Sequence, residues 1–390
     1  MMQDVRRGRL CFIDLARTIA ILSMLEGHFI TMTLAEPFRD RANPYYHAHL
    51  YRSGLTAPLF LALSGLVFVY FLCSSSRPLA ENPRVKKGIK RGVMLIGMGY
   101  LLQVNLIGLF EGWVNTDWLM VVHILQVVGV GLLALVAVFA LQRGLRIVPL
   151  SLLYLLLALV VFSVSSIVHG ASYGDLPVPL QNYLTRAHGS VFTLFPSLGY
   201  MFCGGACGVL VNRFAPRPDV PWMRASWFPV AWLAAAICLH LYAVKWVYSA
   251  RHAIENSFGV DAAFITSSYL HVILGNLGLV LALLALLMLL EPFIRRWTPE
   301  LFLRIGQQSL FIYILHNMIL YGGLFGIDVV SPFKRALSPM ESVLGAVLFM
   351  GLHVLVVQVR VWLSAQEQKR LLAVAASGSI GPLDGQGPQS

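Results

Sequence analysis

Charge is scarce in this sequence. Only 12% of its 390 residues are Asp, Glu, Lys or Arg, against 57% apolar residues, and a water-exposed surface cannot be built from that balance. The length would suit about two or three soluble domains, yet the chain holds many apolar runs of the ~20 residues a membrane span needs, so one helical bundle is the simpler account. Cysteine is sparse as well: Cys11, Cys73, Cys203, Cys207 and Cys238 sit in or beside apolar runs, with neither metal-site spacing nor a disulfide framework. Cys203 and Cys207 share a helix face in a glycine-rich run, where they read as small packing groups, and no metal is expected. No short repeat is visible. The formal charge of +11 does not call for nucleic acid, because the basic residues fall in short connectors, where orientation in a bilayer accounts for them.

What is present is a succession of apolar runs. They lie near Leu10 to Leu34, Gly54 to Cys73, Gly92 to Phe110, Leu119 to Leu141, Ile147 to Val168, Phe192 to Val211, Trp227 to Tyr248, Ile265 to Leu290, Ile305 to Phe325 and Ser342 to Leu363. The expected fold is all-α: a polytopic transmembrane bundle of about ten spans. The first run follows Arg6, Arg7 and Arg9 as a signal peptide would, but it is too long for a signal core and contains Asp14, Arg17, Glu26 and His28, so it is expected to stay as a span. Basic residues crowd alternate connectors (Arg77 to Arg91, Arg213 to Arg224, Arg295 to Arg304), which predicts cytoplasmic termini on both ends. The expected organisation is a basic cytoplasmic N-terminus over 1–9, a membrane domain over 10–363, and a largely disordered cytoplasmic tail over 364–390, rich in Gly, Ser and Pro after Ala373. The expected location is the plasma membrane, or the inner membrane of a bacterium, in contact with lipid. Oligomeric state is left open, a homodimer among the options.

The first run carries the chemistry. Charged groups inside hydrocarbon are costly and tend to face a cavity or a partner. Arg17 and His28 are eleven residues apart, about three helical turns up one face and separated by roughly 16 Å of rise. Asp14 joins that stripe one turn below Arg17. The line suits a long anionic molecule held at one end by Arg17 and by the basic connector with Lys87, Lys90 and Arg91, its reactive end reaching His28. A plainer reading makes Asp14 and Arg17 an interfacial ion pair and bonds His28 to another helix. Glu26 points to nearly the opposite face and is expected to pair with another helix, with a catalytic role as the rival reading. His123, Gln126 and His316 lie within runs as buried polar groups that either bond neighbouring helices or line the site.

The stretch from Arg17 to His28, RTIAILSMLEGH, resembles the arginine, ten residues, histidine pattern in the first span of acyltransferase family 3 membrane enzymes. The connector KKGIKRG at 86–92 departs from the arginine-rich motif of that branch. DLARTIAILSMLEGH at 14–28, TAPLFLALSG at 56–65, KRGVMLIGMG at 90–99, HILQVVGVG at 123–131, FPSLGYMFCGGACG at 195–208 and IGQQSLFIYILH at 305–316 resemble successive motifs of the heparan-alpha-glucosaminide N-acetyltransferase catalytic domain family. That resemblance implies a membrane acetyltransferase that takes acetyl from cytosolic acetyl-CoA, its acyl donor, and gives it to a sugar or glycan amine or hydroxyl across the membrane. It implies His28 as the base and Arg17 on the donor side. It also draws in the segment before the second run, YYHAHLYRSGLTAP at 45–58, because the heparan enzymes carry a histidine there; His47 ranks second as base, with His49 beside it. Rival functions are an O-acyltransferase of glycans or lipid-linked sugars, and a secondary transporter or exporter, although broken midplane helices and inverted repeats are not evident in the sequence.

Overall fold

Each apolar run holds a helix in the computed structural model, which describes residues 10–75, 77–112, 115–145, 148–215, 226–267, 269–328 and 330–378. A helix is what hydrocarbon demands of a crossing segment, since every backbone N–H and C=O then finds its partner within that segment. In chain order α1 is Cys11–Thr33, α2 Pro44–Cys73, α3 Pro83–Leu101, α4 Leu106–Phe110, α5 Thr116–Met120, α6 Ile124–Leu145, α7 Leu150–Gly170 and α8 Val178–Leu184. There follow α9 Leu194–Phe214, α10 Trp227–Phe258, α11 Ala263–Ser267, α12 Leu270–Leu289, α13 Glu291–Trp297, α14 Glu300–Gln307, α15 Ser309–Tyr321 and α16 Pro339–Gly378. Among the described residues there is no strand, only isolated backbone bridges of Leu34 with Leu337 and Asn105 with Leu324. The protein is an all-α, multi-pass membrane bundle.

Among the described residues, seven stretches are long and apolar enough to cross a membrane: α2, α5 with α6, α7, α9, α10, α12, and α16 as far as Leu371. The other three runs fall short for separate reasons. Helix α1 carries Asp14, Arg17 and Glu26; α3 opens with Arg84, Lys86, Lys87, Lys90 and Arg91; and the ninth run is cut between α14 and α15. Several boundaries also move. The second helix starts at Pro44, ten residues before Gly54, because Asn43 accepts hydrogen bonds from the backbone N–H of Tyr45 and Tyr46 and Pro44 suits the first helical position. The last helix runs on through Gly378, so the first part of the segment 364–390 expected as a disordered tail is helical; residues 379–390 lie outside the described residues, as does the N-terminal segment 1–9.

Helix α1 sits at the centre, packed on α2, α12, α14 and α16. Its N-terminal amides are capped from elsewhere in the chain: Glu291 on α13 accepts from Cys11 N (3.0 Å) and Phe12 N (2.6 Å), and is itself held by Arg295 at 2.9 Å. Burial raises the Glu291 pKa, while Arg295 and the two amides oppose that rise. Thr18 donates to the carbonyls of Asp14 and of Phe302, drawing α14 against α1. Helices α2 and α9 meet backbone to backbone: a Cβ on Gly204 would stand 2.0 Å from the Ala62 carbonyl oxygen, and one on Gly65 would stand 2.1 Å from that of Met201.

Broken helices, which the sequence did not reveal, are present. Helix α3 stops at Leu101, and the chain turns through residues 102–105 before α4; α5 and α6 are separated by Val121, Val122 and His123. The freed backbone groups find partners across the breaks: Gln103 Nε2 donates to Val121 O (2.6 Å), Val122 N to Ser190 Oγ (3.1 Å), Phe192 N to Val122 O (3.2 Å), and Leu324 N to Leu102 O (3.1 Å). Irregular backbone at membrane depth is tolerated where protein encloses it or where it borders a cavity.

Replacing Gly204 by Val forces α2 and α9 apart and is expected to destabilise the bundle by about 1–3 kcal/mol, the usual cost of overpacking. Thermal unfolding of the detergent-solubilised protein checks this, and Cys238→Val, on an exposed position of α10, is the control expected to melt with the parent.

Candidate functional site

The two helix breaks and the end of α15 border a cavity of about 700 Å³. Helix α15 ends on Gly322, whose left-handed backbone (φ 68°) costs nothing without a Cβ. His28 lines this chamber from α1, and its Nδ1 lies 2.9 Å from the Tyr321 hydroxyl at the last turn of α15. The His316 ring stands edge-on to His28 with centroids 5.4 Å apart. His316 is 1% exposed, and neither of its ring nitrogens has a hydrogen-bond partner among the described residues; the same holds for His123 Nε2, Ser53 Oγ and Thr56 Oγ1, all on this chamber's wall. Buried polar atoms are nearly always satisfied in proteins, so a cluster of unsatisfied ones around a cavity is a set of contacts available to a ligand. No Asp, Glu, Lys or Arg is among the described residues that line it.

A second cavity, of about 320 Å³, adjoins the first, with Phe60 of α2 and Leu125 of α6 lining both. Its character is opposite. Arg17 reaches it from α1, and Arg84, Lys87 and Arg91 from α3, with no carboxylate among the described lining residues. Spacings of three and four residues put those three α3 side chains on one face. Four cations around one small cavity give it a positive potential, a lining that can attract an anion. Arg17 also stands 4.0 Å from Asp14 Oδ1, and Gln307 Nε2 donates to Asp14 Oδ2 at 3.4 Å, so Asp14 steadies Arg17 from behind and does not line the cavity.

Glu26, His49, His47, Lys90 and Gln126 lie outside the lining of both chambers. Glu26, on the far face of α1, is ion-paired with Arg52 and has His49 Nδ1 3.7 Å away. His47 is exposed on the first turns of α2, and Lys90 is exposed off the cationic face of α3. Gln126 is fully buried one layer behind the wall, its Nε2 3.4 Å from Gln103 Oε1. His123 and His316 do line the histidine chamber. Among the described residues no group of three or more His, Cys, Asp or Glu is placed to hold a metal ion.

Sequence reasoning missed Arg84 and Tyr321. The spacing of 84, 87 and 91 was the available signal for the first, hidden by reading 77–91 as a connector when α3 is already helical from Pro83. Tyr321 had no local signal, because it meets His28 only through the packing of α15 on α1. One helix thus joins a cationic cavity to a chamber with no formally charged residue among its described lining, in which the His28 imidazole is held through one nitrogen by Tyr321.

The family model described as heparan-alpha-glucosaminide N-acetyltransferase, catalytic, matches residues 9–245, from the start of α1 into α10. The stretch holds Arg17, His28, Arg84, Lys87, Arg91 and His123, while His316 and Tyr321 fall beyond it. Comparison with curated proteins finds no match. Because the matched residues make up well over half of the chain and carry the helix common to both chambers, the protein belongs to the heparan-alpha-glucosaminide N-acetyltransferase catalytic domain family and is a multi-pass membrane acetyltransferase by descent.

Proposed function

We propose that this protein takes an acetyl group from cytosolic acetyl-CoA and transfers it to a sugar amine or hydroxyl presented on the opposite side of the membrane. The observation that carries the reading is that α1 lines both chambers, with Arg17 in the cationic one and His28 in the uncharged one. Arg17, Arg84, Lys87 and Arg91 hold the phosphates of the donor. The thioester end passes Phe60 and Leu125 toward His28. Helices α1, α3 and the α14–α15 pair add three crossings to the seven apolar ones, which returns both termini to the cytoplasm and puts the basic start of α3 on the same side. The plasma membrane, or a bacterial inner membrane, is the location that fits such a donor.

His28 acts as the general base. In this reading the Nδ1–H donates to the Tyr321 hydroxyl oxygen, 2.9 Å away, and Nε2 keeps the lone pair. Nε2 takes the proton of the acceptor as its heteroatom attacks the thioester carbonyl, and returns that proton to the departing CoA thiolate. His316, with no partner for either ring nitrogen among the described residues, donates to the oxygen on which negative charge builds. Phe60, Leu125 and the apolar walls keep bulk water from the thioester. The helix breaks beside the cavity are the feature on which a carrier would also rely. Release of free CoA thiol by purified protein given acetyl-CoA and an acceptor separates the two, since a carrier moves its cargo without cleaving the thioester.

His28→Ala is expected to lower kcat by about 10²–10⁴-fold with unchanged thermal unfolding, read from thiol release; full activity in this variant rejects the assignment. Tyr321→Phe removes the partner of Nδ1 and is expected to lower kcat while leaving the KM for acetyl-CoA in place, with a displaced pH–rate profile. Arg17→Ala should do the reverse, raising the KM for acetyl-CoA about ten- to hundredfold through loss of a charge-assisted contact and leaving the pH profile where it was.

A further inference from the structure

The two chambers differ in charge more sharply than in size. Four cations border the smaller one, while the larger has no formally charged residue among its described lining. An acidic sugar entering the larger chamber would surrender the hydration of its carboxylate or sulfate with no cation to replace it, a cost of several kcal/mol per group. A neutral sugar meets a better match. Its hydroxyls can pair with Ser53 Oγ, Thr56 Oγ1, His123 Nε2 and the ring of His316, the buried polar atoms that have no partner among the described residues.

The rim adds a second requirement. Leu109, Trp118 and Val191 line the chamber and are also 53%, 44% and 48% exposed, and Phe110, beside them on α4, is 89% exposed. Helices α4 and α5, which carry three of these four residues, are five residues each and too short to cross the bilayer. They present an apolar edge at the chamber's rim, where Leu109 and Trp118 also line the chamber. A free sugar has nothing to place against that edge; an acyl chain does.

From this contrast we infer that the acceptor is an uncharged sugar carried on a hydrocarbon anchor, a neutral glycolipid acetylated on a sugar hydroxyl. The inference rests on the acetyl-transfer reading given above. In the reaction the hydroxyl oxygen bonds to the acetyl carbon, the carbon–sulfur bond breaks with its electron pair going to sulfur, and the hydroxyl proton passes through His28 to the CoA thiolate. The products are an acetylated glycolipid and CoA thiol, with no oxidant, reductant or further reactant. The anchor lies along Leu109, Phe110 and Trp118, and the headgroup reaches inward among the unpaired polar atoms.

The test uses the full chain in phosphatidylcholine nanodiscs with acetyl-CoA and one of three acceptors: monoglucosyl diacylglycerol, methyl glucoside, or a glucuronate-containing disaccharide. Thiol release and mass spectrometry of the acceptor are followed together. The expected result is acetylation of the glycolipid with kcat/KM about tenfold or more above methyl glucoside, as burial of only two further methylenes provides, and none of the acidic disaccharide above the His28→Ala background. Phe110→Ser should shrink the ratio between glycolipid and methyl glucoside. Acetylation of the acidic disaccharide as fast as the glycolipid, or equal use of glycolipid and methyl glucoside, overturns the inference while leaving acetyl transfer intact. Thiol release no faster than the His28→Ala background with all three acceptors overturns the acetyl-transfer reading and the inference with it.

Discussion

A helix that carries Asp14, Arg17, Glu26 and His28 cannot turn those groups to lipid. The cost of doing so organises this molecule: α1 is enclosed by α2, α12, α14 and α16, its first amides are capped by Glu291, and its charges are each given company, Asp14 by Arg17 and Gln307, Glu26 by Arg52 and His49. Helices α7, α10 and α16 take the outer positions, where their mostly exposed surfaces meet hydrocarbon. Polarity at the centre and grease at the edge is the inverse of a soluble fold and follows from the solvent.

A central polar helix creates the opportunity for chemistry; interruptions in its neighbours create the space. Stopping α3 at Leu101 and parting α5 from α6 releases backbone groups that Gln103, Ser190, Phe192 and Leu324 then satisfy. The chamber borders those breaks, whose freed groups are satisfied by the side chains of Gln103 and Ser190 and by the backbone of Phe192 and Leu324. Charge is then divided between two adjoining cavities. Cations gather where α3 begins, and the volume around His28 has no formally charged residue among its described lining.

Much of this was legible in advance. Composition alone excluded a soluble protein, run lengths located the helices, and the eleven-residue interval from Arg17 to His28 put both on one face, as they are found, each lining its own chamber. Helix periodicity also sent Glu26 to the opposite face, where it pairs with α2. The reading went astray where local pattern and tertiary packing disagree. A hydropathy run does not show where it is interrupted, because Leu102 to Asn105 and Val121 to His123 hold no Pro or Gly to mark a break; hydrogen bonds such as Gln103 Nε2 to Val121 O join the two breaks instead. Arg84, Lys87 and Arg91 looked like a connector because charge masked their helical spacing.

The amino-acid order by itself determined the solvent, the helical class, the family and the stripe that joins Arg17 to His28, since each follows from composition, periodicity or motifs contained within short segments. Only the tertiary structure decided which groups the stripe would meet. Tyr321 lies 293 residues from His28 and comes within hydrogen-bond distance through the packing of α15, and His316 becomes a neighbour in the same way. Contacts between residues so distant in sequence depend on the crossing of whole helices, and no local pattern encodes them.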